Sequence, residues 1–173
     1  MNMIAKYRGK EYCYSCKLLQ WKSDWNYYQA IHAEYSKINT NDPQKVYDDF
    51  HLNEFGRMEK EITEEELSDI FYVNCFINYD TGLAKIPTEW LVNKFIDGKI
   101  EIEYGLGLLL GWNGVDQYVC RKLLGKDEVS SPKVRFIYTK KYGNMLKEPY
   151  VEERDVDIED MISIYNYYLR DNI

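Results

Sequence analysis

Ile62-Thr63-Glu64-Glu65-Glu66-Leu67-Ser68-Asp69-Ile70-Phe71 reads as the start of a helix. Thr63 with Glu66 three residues on is a capping box: the hydroxyl accepts from the first turn and the carboxylate reaches back to the cap. Ile62 and Leu67 stand where a hydrophobic staple needs them, and Glu64 and Glu65 put negative charge at the positive end of the helix dipole. Leu67, Ile70 and Phe71 then recur at the spacing of one buried stripe, so the stretch predicts a short amphipathic helix.

The same grammar returns at Val156–Tyr165. Asp157 takes the cap position, Val156 and Met161 the staple, and Met161, Ile164, Tyr165 and Tyr168 continue the stripe. Each predicted helix follows a charged, strand-like segment, Arg57–Glu61 in one case and Tyr150–Asp155 in the other. The pattern admits a strand-then-helix unit used twice, with halves 1–71 and 72–173 inside one compact domain spanning 1–173.

Toward the start of the chain, Met3–Arg8 and Glu11–Gln20 flank Gly9 and are rich in Tyr, Ile, Cys and Leu, which predicts a hairpin. From Asp24 to Ile38 the residues Trp25, Tyr28, Ile31, His32, Tyr35 and Ile38 recur at threes and fours, the pattern of an amphipathic helix. Gln44–Gly56 fits either a loose helix or a surface loop, with Tyr47, Phe50 and Phe55 as anchors.

Toward the end, Tyr72–Asn78 has the β-branched and aromatic content of a strand, and Asp80-Thr81-Gly82 turns the chain. Pro87 opens a predicted helix with Leu91 and Phe95 on one face and Gly98 at its stop. Lys99–Tyr104 alternates Ile100, Ile102 and Tyr104 against charged neighbours, a strand with one core face and one wet face. Asn113 is placed to cap a helix over Val115–Leu124 that Gly125 closes. Lys126–Pro132 is a polar linker, Lys133–Lys140 alternates as a strand, and Tyr142–Pro149 is a turn. These elements together predict an α+β fold, mostly antiparallel sheet with several short amphipathic helices.

Composition narrows the function classes. With 22 basic against 29 acidic residues the net charge is -7, the wrong sign for a general nucleic-acid binder, which needs an electropositive footprint. The longest apolar run, Leu106–Trp112, falls short of the ~20 residues of a helical membrane span. Lys6, Arg8 and Lys10 are followed by no signal-peptide core, so a cytoplasmic location is expected. Cys13, Cys16, Cys75 and Cys120 then read as thiols, and the single C-x-x-C lacks the second close pair of a structural zinc site.

Chemistry is sparse along the chain. His32 and His51 have no metal-pair spacing, no serine sits in G-x-S-x-G, and Gly105, Gly107, Gly111 and Gly114 do not form a phosphate loop. The carboxylates Glu59, Glu61, Glu64, Glu65, Glu66, Asp69, Glu152, Glu153, Asp155, Asp157, Glu159 and Asp160 read as caps and solvated faces. No cofactor, metal or catalytic residue is expected. Tyr47, Asp48, Asp49 and Phe50 set charge beside aromatic anchors, the local grouping most like an interface, and Glu152 and Glu153 add acidity for the same role.

Ile86-Pro87-Thr88-Glu89-Trp90, continuing through Phe95 to Gly98, resembles the Leu-Pro-x-x-Tyr helix start of the SMI1/KNR4-like immunity proteins, over some 13 residues and with a different aromatic spacing. The small, acidic, tyrosine-rich character of the chain is similar in type to the immunity proteins bacteria make against their own polymorphic toxins. That resemblance implies a non-enzymatic, protein-binding inhibitor whose partner is a cognate toxin with a basic surface, with neither membrane nor nucleic acid bound directly. Two other expectations stand beside it: a hydrolase or nucleic-acid-modifying enzyme with carboxylates gathered by the fold, and a self-associating structural or regulatory protein.

Overall fold

The computed structural model describes residues 3–24, 27–83, 86–105, 112–114 and 120–170, with the backbone alone for 17–24, 27–35, 113, 169 and 170. The hairpin predicted around Gly9 forms. Strand β1 (Met3–Tyr7) pairs antiparallel with β2 (Lys10–Asp24), and Tyr7 lies opposite Lys10. The segment read as a helix over Asp24–Ile38 is instead β3 (Tyr27–Thr40), which pairs antiparallel along β2 through several register shifts. Its tyrosines and β-branched residues suit a ladder as well as a helical stripe, and the long neighbouring strand supplies the partner that decides between them.

Gln44–Gly56, open between loop and helix, contains a 3-10 turn at Pro43–Lys45 and the two-residue strand β4 (His51–Leu52). β4 pairs β5 (Met58–Glu61), which pairs β3 in turn. The capping box at Thr63 is real: the Thr63 amide donates to the Glu66 carboxylate at 3.0 Å. It closes only a single 3-10 turn, Glu64–Glu66, before the chain extends into β6 (Asp69–Asn78). A strand from Asp69 buries Ile70 and Phe71 on opposite faces, and β1 is waiting to pair with it, Ala5 opposite Ile70.

The predicted helix from Pro87 is β7 (Glu89–Ile96). Trp90 and Val92 are buried while Leu91 between them is 45% exposed, a period of two that the Leu91–Phe95 spacing concealed. The helix-start resemblance at Pro87 therefore has no helix under it. β8 (Lys99–Tyr104) matches its prediction, except that Glu101 on the supposedly wet face is also buried. After β9 (Asn113–Gly114), β10 (Cys120–Leu124) replaces the end of the helix expected over Val115–Leu124, whose residues 115–119 lie outside the described residues. The glycines at 107 and 111 lie outside them too.

β11 (Ser130–Lys141) and β12 (Asn144–Asp155) make the last hairpin, so the turn expected over Tyr142–Pro149 is in fact a two-residue turn followed by strand. The helix capped by Asp157 does form, as α1 (Ile158–Tyr165), with Met161 fully buried and Asp157 Oδ1 accepting from the Asp160 amide at 2.8 Å. It runs on into one π-helical turn, Asn166–Arg170.

The α+β expectation is thus corrected. Strand makes up 58% of the structure and helix 15%, with α1 the one α-helix among the described residues, and the strand-then-helix unit is not used twice. What Ile62–Phe71 and Val156–Tyr165 share is a capped first turn. Only the second continues, because no neighbouring strand claims its residues.

Three of the hairpins use one device. Arg8-Gly9, Asp97-Gly98 and Tyr142-Gly143 each place both residues at positive φ, between 47° and 80°. That is the signature of a type I′ turn, whose twist matches the strands it joins and whose second position favours glycine. Gly98, read as a helix stop, is the second residue of such a turn, with Ile96 opposite Lys99.

The chain forms two compact units. The first comprises Met1–Val73, Phe136–Glu152 and Asn166–Ile173, with strand order β4-β5-β3-β2-β1-β6 and a core of Ala5, Tyr7, Tyr12, Tyr14, Ile38, Phe50, Ile62, Leu67 and Ile70. The second comprises Asn74–Arg135 and Glu153–Tyr165, with β7-β8-β10-β9 continuing from the end of β6. Its buried residues include Ile100, Ile102 and Leu124, and Trp90 packs against Trp112 and Tyr104 at ring distances of 5.3 Å each. No helix among the described residues is long and apolar enough to cross a membrane.

Candidate functional site

Asp42 starts the segment that carries four of the predicted partner-binding residues. Its carboxylate accepts from the Gln44 amide at 2.9 Å, and Pro43 at the first position of the turn has no N–H to waste. A second turn, Phe50 N–H to the Tyr47 carbonyl at 3.0 Å, folds the segment onto the β1–β2 hairpin. Phe50 then packs on Tyr12 at 5.6 Å and on Tyr47 at 6.3 Å, and is only 8% exposed. It is a core residue, closed to a partner.

Tyr47 is half-buried, edge-on to Tyr7 at 6.2 Å, with the Arg8 guanidinium at 5.1 Å and Lys10 Nζ at 4.7 Å over its ring. Asp49 faces Arg8 and Lys60, both at 3.6 Å, and accepts from the Tyr7 hydroxyl at 3.3 Å. Burial first, then the Asp49 charge, raises the pKa of that hydroxyl. Asp48 is exposed. The four residues do come together, and their charge and rings are largely satisfied within the protein.

Glu59 on β5 is the most enclosed carboxylate nearby. It accepts from Lys37 at 3.0 Å and from Asn53 at 2.8 Å, and His51 Nε2 stands 3.6 Å away. Burial works against its ionisation, but the Asn53 and Lys37 hydrogen bonds outweigh it and hold the carboxyl below the usual range. This is a group built to stay ionised and fix β4 against β5. His51 is mostly exposed, and the side chain of His32 lies outside the described residues.

Glu152 and Glu153 are consecutive on β12 and belong to different units. In the first unit Glu152 lies 3.7 Å from Lys141. Lys141 sits among three tyrosine rings, 4.0 Å from Tyr150, 4.4 Å from Tyr138 and 5.5 Å from Tyr142, a cation held by ring quadrupoles as well as by charge. Tyr142 is 81% exposed, and Tyr150 and Val151 each 50%. Among the described residues β12 pairs with β11 alone, so it is a strand at the edge of its sheet. Pro149, which would break a ladder in a central strand, is tolerated at such an edge. Sequence reasoning missed this strip because it placed 142–149 in a turn. The Tyr142-Gly143 pair and the isolated proline were the available signals.

In the second unit Glu153 is bridged by Lys133 at 3.1 Å and Arg135 at 2.5 Å, which hold its carboxyl below the usual range. Arg135 also gives Glu89 a forked pair of bonds, 2.8 and 2.9 Å, and covers the Phe76 ring at 4.1 Å. Buried Glu101 accepts from Asn93 at 2.6 Å, with Arg121 at 3.6 Å. These carboxylates brace strands.

Two of the remaining sequence candidates have structural work. Asp69 accepts from Ser68 at 2.7 Å and from the Tyr142 amide at 3.1 Å, and Glu159 pairs with Lys126. Burial pushes the Cys75 thiol up to about 12 and raises Cys13 and Cys16, so none of these is an activated nucleophile. Among the described residues no three His, Cys, Asp or Glu side chains converge as a metal site. Compared with protein-family models, with curated proteins and with solved structures, the chain matches none.

Proposed function

We propose that this chain is a protein-binding inhibitor of the immunity type, which neutralises a cognate bacterial toxin by receiving an extended, basic segment of it along β12. The observation that carries the reading is the exposed edge strand itself. Over Asn144–Glu152 it pairs with β11 alone among the described residues, beside the exposed rings of Tyr142 and Tyr150 and the side chains of Met145 and Val151. Edge-strand addition gives affinity through main-chain hydrogen bonds and specificity through alternate side chains. Aromatic anchors of this kind supply most of the energy at protein interfaces.

The chain's net charge of -7 supports a basic partner, since opposite fields steer encounter and disfavour wrong pairings. Lys141 adds a specific element. A partner arginine or lysine approaching Glu152 meets rings already arranged around a cation, so local recognition needs a change of occupant and little rearrangement. Tyr47 and Asp49 are a poorer surface, because the ring of the one and the charge of the other already have internal partners.

The test is co-purification with the product of the neighbouring upstream gene, together with protection of cells expressing that product. A Tyr142→Ala/Tyr150→Ala variant should weaken the complex by at least ~1.4 kcal/mol, tenfold in dissociation constant, with an unchanged melting temperature. Absence of a complex and of protection, or full protection by the double variant, overturns the reading. A concentration-dependent dimer that Tyr150→Ala dissolves would instead make a second copy of this chain the occupant of β12.

A further inference from the structure

We propose that a cleft at the tip of the β1–β2 hairpin binds a small phosphomonoester carrying a flat ring, the chemistry of a nucleoside monophosphate. The inference is independent of the toxin reading. The cleft has a volume of about 320 Å3, and Lys6, Lys10, Lys45 and Tyr167 line it together with Glu11 and Asp42. All of these residues belong to the first unit.

The lysines carry the argument. The chain has 29 acidic residues against 22 basic, yet among the described residues none of Lys6, Lys10 and Lys45 lies within ion-pairing distance of a carboxylate, whereas Arg8, Lys37, Lys60 and Lys141 of the same unit each do. Three ammonium groups around one cleft repel each other, and a bound anion removes that cost. Two of them are also held in place. Lys10 Nζ donates to the Gln44 carbonyl at 2.6 Å, and Lys45 Nζ stands 5.3 Å from the centre of the Tyr167 ring.

The two carboxylates of the lining are committed elsewhere. Asp42 accepts from the Gln44 amide and Glu11 from the Tyr168 hydroxyl at 3.1 Å. They leave the cleft only modestly positive, which suits a single phosphate and penalises a polyanion such as nucleic acid. Tyr167 is 46% exposed, with Tyr168 edge-on behind it at 4.7 Å, so its ring is a braced platform on which a base can stack. The volume lies at the lower end of small-molecule sites, about 300 Å3, which fits one nucleotide.

The test titrates the full chain with adenosine monophosphate, ribose 5-phosphate, inorganic phosphate and adenosine, followed by calorimetry and by amide NMR shifts. Adenosine monophosphate should bind saturably at residues 6–11 and 42–45. Ribose 5-phosphate and phosphate should compete at least roughly tenfold more weakly, and adenosine more weakly still. Lys6→Gln and Lys45→Gln should each lower affinity for the nucleotide and for phosphate by roughly tenfold with unchanged melting temperatures. Tyr167→Leu should weaken the nucleotide severalfold more than it weakens phosphate, which loses only the ring that steadies Lys45. No saturable shift with any probe, or undiminished binding in the Lys6→Gln/Lys45→Gln double variant, overturns the site. Ribose 5-phosphate binding as tightly as the nucleotide overturns the stacking ring.

Discussion

Replacing Arg135 with methionine removes a guanidinium that makes two bonds to Glu89 at 2.8 and 2.9 Å, one to Glu153 at 2.5 Å, and covers Phe76. Methionine keeps the stem that packs on the ring, so the loss is that of the charged bonds. A hydrogen bond to a charged group contributes about 1.5–3 kcal/mol, but both carboxylates are roughly one third exposed and solvent screens them. Lys133 also remains on Glu153. Together these give an expected cost of about 2 kcal/mol, or a fall of roughly 4–8 °C in melting temperature for a chain of this size. In a Glu89→Gln background the same substitution should cost about 1 kcal/mol less, the coupling expected of a direct pair.

The pH dependence has a definite sign. Arg135 and Lys133 depress the folded-state pKa of Glu153, so its contribution is present above the ordinary carboxylate range and is lost as pH falls through the folded value. The difference between wild type and Arg135→Met should therefore shrink in strong acid. Denaturant melts of the four variants of the cycle at neutral and acid pH are the assay. Equal costs in both Glu89 backgrounds, or a difference that grows on acidification, would refute the account.

Gly98→Ala at φ 75° should destabilise by about 1–2 kcal/mol in denaturant melts, and an unchanged midpoint would contradict the left-handed turn position. Glu59→Gln should flatten the acid limb of the stability curve, because the carboxyl that Asn53 and Lys37 hold below its usual range stabilises only while ionised; an unaltered acid limb would contradict the assignment. At pH 8 a thiol reagent should leave Cys75 unmodified in the folded chain and label it on unfolding, as mass spectrometry would show, since burial pushes that thiol up to about 12.

The strands with alternation or β-branched runs were legible: β1, the start of β2, β6 from Tyr72, β8 and β11 from Lys133 stand where their residues put them, as does the charged β5. The failures at β3, β7 and β10 share a cause. Apolar residues spaced at three and four satisfy a helical stripe, while in a sheet neighbouring residues divide between two faces, as buried Trp90 and exposed Leu91 do. Local periodicity cannot register that a partner strand is already extended next door. At the site, the meeting of Tyr47 with Phe50 was legible from adjacency, but the capture of Asp49 by Arg8 and Lys60 depends on pairings across about forty and ten residues. The Lys141 cage gathers from both arms of a hairpin that the reading had treated as a turn.

β1 is paired on both sides, with β2 beside it in sequence and with β6 some sixty residues later, Lys6 opposite both Glu11 and Asp69. During synthesis the β1–β2 hairpin can close in about 1–10 μs. At ~5–20 residues per second, the ribosome delivers β6 only after several seconds. For that interval β1 is a nascent edge bearing Ile4, Ala5 and Tyr7, residues that end fully enclosed. Lys6 and the flanking Arg8 and Lys10 then serve as charged gatekeepers, so Lys6 and Lys10 guard the chain against mispairing before they line a finished cleft.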